Sequence, residues 1–156
     1  MQITVVWGPP ASGKSTFVRE SRSDNSLTFD FDPVMQALSG LTPHHKNPAL
    51  VGLVLEIRAL VLEALGTDLG VDDVWIITTR ISDDMQEALD GLDVQYHLMD
   101  TDKETCLERV DADPDRADVA EEMKSVIEEW FAEQEARAAC PIDQLVSRLN
   151  RIKHWR

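Results

Sequence analysis

The sequence predicts an α/β fold, a small parallel sheet with helices on both faces, and three observations carry that expectation. Four short runs rich in branched and aromatic residues, at 2–7, 26–31, 74–78 and 94–99, have the length and composition of strands. Helix-patterned stretches separate them, which is the rhythm of parallel strands joined by crossovers. The first run passes directly into a turn, Gly8-Pro9-Pro10-Ala11-Ser12-Gly13-Lys14-Ser15, and then into a helical stretch at 14–20.

Each element has its own reason. Ile3-Thr4-Val5-Val6-Trp7 is almost continuously apolar, as a strand covered on both sides must be, whereas the second and fourth runs alternate and read as less protected. A helix is expected over 48–65, crowded with Leu50, Val51, Leu53, Leu55, Ile57, Leu60, Val61 and Leu65, lying across the sheet and stopped by Gly66. Thr101 to Glu104 has the spacing of a capping box ahead of Cys106-Leu107-Glu108-Arg109. Asp111-Ala112-Asp113-Pro114-Asp115-Arg116 interrupts that helix, and another follows over 119–139 with Met123, Val126, Ile127, Trp130 and Phe131 as its apolar stripe. After Pro141 a last amphipathic segment carries Ile142, Leu145, Val146, Leu149 and Ile152.

A length of 156 residues suits one core, so a single domain over 1–156 is expected, with a short lid-like segment at about 109–118. Fifteen basic against 29 acidic side chains leave a net charge of −14, which argues against a long bound nucleic-acid tract while leaving room for a local basic cleft. Cys106 and Cys140 lack metal or redox spacing and read as core residues. The N-terminus opens into a strand-like run without a secretory pattern, and the most apolar stretch, 49–55, is too short to span a bilayer. A soluble, cytoplasmic protein with no membrane contact is expected; protein partners are not legible.

The turn after the first run is a phosphate-binding loop. Its glycines let backbone N–H groups converge on phosphate oxygens, Lys14 brings a mobile charge to the β and γ phosphates, and the Ser15 hydroxyl is placed for Mg²⁺. The residues from Gly8 through Pro9, Pro10, Ala11, Ser12, Gly13, Lys14 and Ser15 to Thr16 are therefore candidates for binding ATP or GTP. Thr16 reads equally as a packing residue. The loop resembles that of the P-loop NTPases, and that resemblance implies a sheet of about four strands in the order 2-3-1-4.

Asp30-Phe31-Asp32-Pro33 ends the second strand on the side where crevices form in open α/β sheets. The strand period places both carboxylates on one side if the strand continues that far. Asp32 is the candidate base or substrate-orienting group and Asp30 the metal-side partner, with helix capping as the competing role. Arg109 and Arg116 flank the acidic interruption and are candidates to meet a transferring phosphoryl group, against surface pairing with Asp111, Asp113 or Asp115. Arg80 reads as a surface residue at the third strand's end. His44, His45 and Lys46 read as a solvated loop, with lining of an acceptor site as the alternative, while Trp7, Trp75 and Trp130 read as core.

With those residues in place the chain resembles the small P-loop kinases, within them the kinase domain of phage-type polynucleotide 5′-kinases and the related zeta-toxin-like and nucleoside or nucleotide kinases. The loop is similar to their GxPGSGKST, with Ala11 where glycine is common. Asp32-Pro33-Val34-Met35-Gln36-Ala37-Leu38 is similar to their D-D-x-R-x-x-L, and 100–116 to their strand end, helix and lid. The resemblance implies that Asp32 activates the acceptor hydroxyl. Pro33 replaces a second aspartate, Met35 replaces an arginine that holds acceptor phosphate, and Asp111, Asp113 and Asp115 stand at lid positions that are usually basic.

The expected function is an ATP-dependent kinase that uses Mg²⁺ and phosphorylates a hydroxyl, first a polynucleotide 5′-hydroxyl and next a small nucleoside, nucleotide or other metabolite. A hydrolysing or switch NTPase is less favoured, because none of the four runs ends in the Asp-Glu pair of an enzyme that polarises water. A nucleotide-binding protein without transfer activity is the third reading.

Overall fold

The near-continuous apolar character of β1 (Gln2–Trp7) is explained by its place inside the sheet: it pairs in parallel with β3 (Asp73–Thr78) on one side and β4 (Val94–Leu98) on the other. β2 (Ser26–Asp30) pairs with the far side of β3, so the order is β2-β3-β1-β4, as expected. This computed structural model describes residues 1–139; Cys140, the 142–152 segment and Trp155 lie outside them. β1 and β3 bury four consecutive residues each, whereas β2 and β4, the alternating runs, form the two edges.

Strand alternation divides the core. Ile3, Val5, Phe29, Val74 and Ile76 face Met35 of α2 (Phe31–Ser39), Val54 and Leu62 of α3 (Val51–Ala64), and Met85 and Leu89 of α4 (Asp83–Leu89). Val6, Trp75 and Ile77 pack with Val18 of α1 (Lys14–Ser21). Cys106 and Val110 of α5 (Lys103–Ala112) join Ile127 of α6 (Ala120–Ala139) in a third cluster. Each fully buried side chain of this kind contributes about 1.5–3 kcal/mol of transfer free energy. Trp130 is buried with its indole N–H donated to the Thr79 carbonyl at 3.0 Å, and its ring lies 6.2 Å from that of Trp7.

Several boundaries differ from the sequence expectation. β2 stops at Asp30 and Phe31 already opens α2, so Asp32 lies on a helix and the strand period does not relate the two carboxylates. The stretch 48–65 begins as a 3-10 turn, Pro48–Leu50, capped by the Asn47 side chain, before α3 takes over. Gly66 does not end α3 through a left-handed turn; Leu65 is right-handed and the Gly66 N–H closes on Glu63. Much of the apolar surface of α3 stays outside, with Leu53, Leu55 and Leu60 exposed. Asp102, not Thr101, caps α5, accepting the Thr105 N–H at 2.8 Å. The acidic interruption folds as a 3-10 turn, Pro114–Val119, capped by Asp113. The seven-residue α4 is too short to have announced itself by periodicity. Among the described residues no helix is long and apolar enough to cross a membrane.

Met35 is completely buried in the principal core. Truncation there removes a thioether chain and leaves a cavity, so Met35→Ala is expected to cost about 2–5 kcal/mol in urea unfolding; a loss below 0.5 kcal/mol on the same scale would remove Met35 from the core.

Candidate functional site

Between β1 and α1 the chain turns through conformations that side chains resist. Gly8 and Gly13 have φ of 149° and 93°, and Ala11, a residue with a Cβ, sits at 59°. A Cβ on Gly8 would stand 3.1 Å from the Met99 side chain, so this position also requires glycine for space. Neighbouring elements hold the turn in place. Thr101 donates its hydroxyl to the Ser12 carbonyl at 2.9 Å, Arg109 donates to the Ala11 carbonyl at 3.1 Å, and the Met99 N–H closes on Trp7. Ser12 is thereby buried.

Lys14 folds back over this loop and donates to the carbonyls of Gly8 at 2.8 Å and Pro9 at 2.7 Å. Burial lowers its pKa from 10.5 to about 8, the charges of Asp30 and Asp32 working in the opposite direction and Arg116 with it. Ser15 donates its hydroxyl to Asp30 Oδ2 at 2.7 Å. Asp30 occupies the N-cap position of α2 without making a side-chain capping bond. Burial raises its pKa, opposed by the Ser15 hydrogen bond and reinforced by the charge of Asp32.

These groups line an open cavity of about 960 Å³ at the carboxyl ends of β1, β2 and β3. Pro10 through Thr16 form one wall; Asp30, Asp32, Pro33 and Gln36 form another; Arg116 also lines it, from the 3-10 turn after α5. Met35 points into the core, and the face of α2 at the cavity carries Asp32, Pro33 and Gln36 instead. Position 35, which the family resemblance associates with acceptor phosphate, is not available for that task in this chain.

His44, His45 and Lys46 all line the cavity, which favours the lining alternative over a purely solvated loop; both histidines are partly buried, while Lys46 is exposed. His44 Nδ1 lies 3.6 Å from Asp32 Oδ2, and Lys46 stands over the Phe31 ring at 5.7 Å.

The arginines take separate places. Arg116 Nε is 2.9 Å from Asp113 Oδ2, but the angle is too poor for a hydrogen bond, and Nε and Nη1 are buried without hydrogen-bond partners. Arg109 braces the back of the loop and does not line the cavity. Arg80 also lines it, but Glu133 of α6 holds its guanidinium in a two-point pair at 2.8 and 3.1 Å. Asp111 pairs with Lys124 rather than with either arginine. Cys106 is buried, and burial pushes its thiol pKa up, as suits a packing residue.

Arg58 was not legible as a site residue, because in sequence it only interrupts an apolar helix face. In the fold it lines the cavity, donates to Asp84 at 2.8 Å and keeps a buried Nε without a hydrogen-bond partner. Thr101 was read as a helix cap, and its contact with Ser12 has no local signature.

No protein-family model matches the chain, and no curated protein matches it. Among solved structures, a chain of the Pnkp1/Rnl/Hen1 RNA repair complex superposes with a TM-score of 0.56 and 19% identity, covering 85% of this chain and 45% of that one. The likeness is one of fold, and this chain spans less than half the length of the solved one.

The state of Lys14 sets a pH signature. Below pH 8 folded and unfolded chains both hold its proton; between 8 and 10.5 the unfolded chain holds a proton that the folded one has released, so stability rises with pH across that window. Without nucleotide, the urea midpoint of wild type is expected to climb from pH 8 towards 10.5 relative to Lys14→Met. Parallel profiles for the two proteins would contradict it.

Proposed function

We propose that the chain is an ATP-dependent phosphotransferase that delivers the γ-phosphoryl group to a hydroxyl acceptor, with a polynucleotide 5′-hydroxyl as the leading acceptor. The observation that carries the reading is that Lys14 and Ser15 of the loop, Asp32 of α2 and Arg116 line one cavity. A nucleotide-binding loop needs only the first two. A carboxylate on the opposite wall adds a proton acceptor for the incoming nucleophile.

In this mechanism the loop N–H groups and Lys14 hold the phosphates. Their negative charge favours the protonated amine, offsetting the burial that lowers the Lys14 pKa in the free protein. The acceptor oxygen forms a bond to the γ-phosphorus as the bond to the ADP oxygen breaks, and the hydroxyl proton passes to Asp32. Arg116, ion-paired with Asp113 but with buried Nε and Nη1 lacking hydrogen-bond partners, meets the charge that spreads over the transferring group.

The chemistry of Ser15 and Asp30 fits Mg²⁺: two oxygen donors from adjoining elements meet at 2.7 Å, and this ion takes one or two protein ligands and completes its shell with phosphate and water. Among the described residues no group of three or more His, Cys, Asp or Glu is arranged to hold a metal, so the phosphates and water would have to complete the shell. When bound, Mg²⁺ supplies charge neutralisation between the β and γ phosphates.

The likeness in fold to a chain of an RNA repair complex favours a polynucleotide end. The net charge of −14 and the acidic residues Asp111, Asp113 and Asp115 favour a small nucleoside, nucleotide or other metabolite. Labelled ATP and GTP screened against a 5′-hydroxyl oligonucleotide and a panel of nucleosides and monophosphates separate the two. Hydrolysis indifferent to every acceptor would make the chain a nucleoside triphosphatase, and binding without turnover a nucleotide-binding protein.

Asp32→Asn is expected to lower kcat by about 10²–10⁴-fold, the usual worth of a general base, with ATP affinity unchanged in calorimetry. Full transfer by this variant would remove Asp32 from the reaction. Ser15→Ala is expected to raise the Mg²⁺ concentration for half-maximal activity, and an unchanged requirement would dissociate Ser15 from the ion.

A further inference from the structure

Two features of the loop between α2 and the 3-10 turn at 48–50 stand outside the mechanism above. His44 has a φ of 67°, a left-handed conformation that glycine adopts freely and a side chain with a Cβ resists. Its ring is also partly buried against the cavity, 23% exposed, with Nδ1 shielded from solvent, lacking a hydrogen-bond partner and lying 3.6 Å from Asp32 Oδ2.

The loop does not need the His44 ring to hold its shape. His45 supplies the local bonds, its Nδ1 meeting Thr42 Oγ1 at 2.8 Å and the Pro43 carbonyl at 3.1 Å, while the Asn47 side chain caps the next turn. A strained backbone, a buried ring nitrogen without a bond and a carboxylate just beyond bonding range coincide at one residue. Such strain persists where surrounding structure imposes it, and it concentrates at sites of function.

We propose that His44 is a positioning residue for Asp32: its left-handed backbone presents Nδ1 to Oδ2, holding that oxygen so that the other faces the acceptor hydroxyl. The inference rests on the reading of Asp32 as the base. At 3.6 Å the contact is too long for a hydrogen bond, and it shortens when an acceptor orders the carboxylate. His44 thereby acts as the third group that orients a base. His45 approaches Asp118 of the lid-like segment at 3.9 Å, which ties the same loop to the wall that carries Arg116.

The test compares His44→Gly, His44→Asn and Asp32→Asn in the full chain, by thermal melting and by transfer kinetics on whichever acceptor the screen identifies. His44→Gly relieves the backbone and removes the ring, so its Tm is expected at or above that of wild type while kcat falls by about 10–100-fold, the scale of a misplaced catalytic group, with the KM for ATP unchanged. Asparagine tolerates the left-handed conformation and offers a donor, so His44→Asn is expected to regain much of kcat. Combining His44→Gly with Asp32→Asn should lose no more than Asp32→Asn alone. A lower Tm in His44→Gly, an unaltered kcat, or additive losses in the double variant would each overturn the proposal. If wild type transfers phosphate to nothing, the proposed function fails by itself; the contact is then judged by NMR, where the His44 ring resonances should shift in Asp32→Asn, and unshifted resonances would refute it.

Discussion

The turn from β1 into α1 is the constraint on which the rest of the site depends. Three positive-φ residues shape the turn, and one of them is an alanine rather than a glycine. A turn of this kind does not stay formed on local preference alone. Lys14 ties together the carbonyls at its start, Thr101 and Arg109 hold those at its apex, and Met99 fills the space beside Gly8. These braces come from the segment after β4 and from α5, which reach the loop because β4 pairs with β1. The position of β1 inside the sheet therefore does two jobs: it buries an apolar strand and gathers the groups that keep a strained turn in shape.

From this geometry follows an uneven electrostatic surface. The chain as a whole is strongly acidic, whereas its main cavity gathers Lys14, Lys46, Arg58, Arg80 and Arg116 beside the carboxylates of Asp30, Asp32 and Glu122. Arg80 is largely satisfied by Glu133, and Arg58 is partly so by Asp84, whereas Arg116 has only a poorly aligned pairing with Asp113. Only Arg58 and Arg116 keep buried nitrogens without hydrogen-bond partners among these cavity-lining cations.

The opposite wall has a different origin. α2 starts at Phe31, so Asp32 projects from the first helical turn and Met35 turns inward. The excursion after α2 then folds back along the cavity, which brings His44 to Asp32 and Lys46 to Phe31. Resemblance in sequence marks position 35 as a ligand position; in this fold a buried methionine has made it part of the core. The cationic groups on this wall come from 44–46 and α3, segments with no motif to identify them.

By itself the sequence determined the fold class, the location of the loop and the candidacy of Asp30, Asp32 and Arg116, because each depends on contiguous residues: runs of β-branched side chains, fixed glycine offsets, a carboxylate at a strand end. The lesser protection of β2 and β4 was legible too, in the polar residues that interrupt their apolar runs. Tertiary structure alone decided that Arg109 braces the loop, that Met35 is core, that Arg58 reaches the cavity, and that His44 lies beside Asp32. Those outcomes join residues far apart in the chain, and they turn on a helix starting one residue early and a loop folding inward. Local propensity leaves both undetermined, because the free energy that selects them arises only when the packed elements meet.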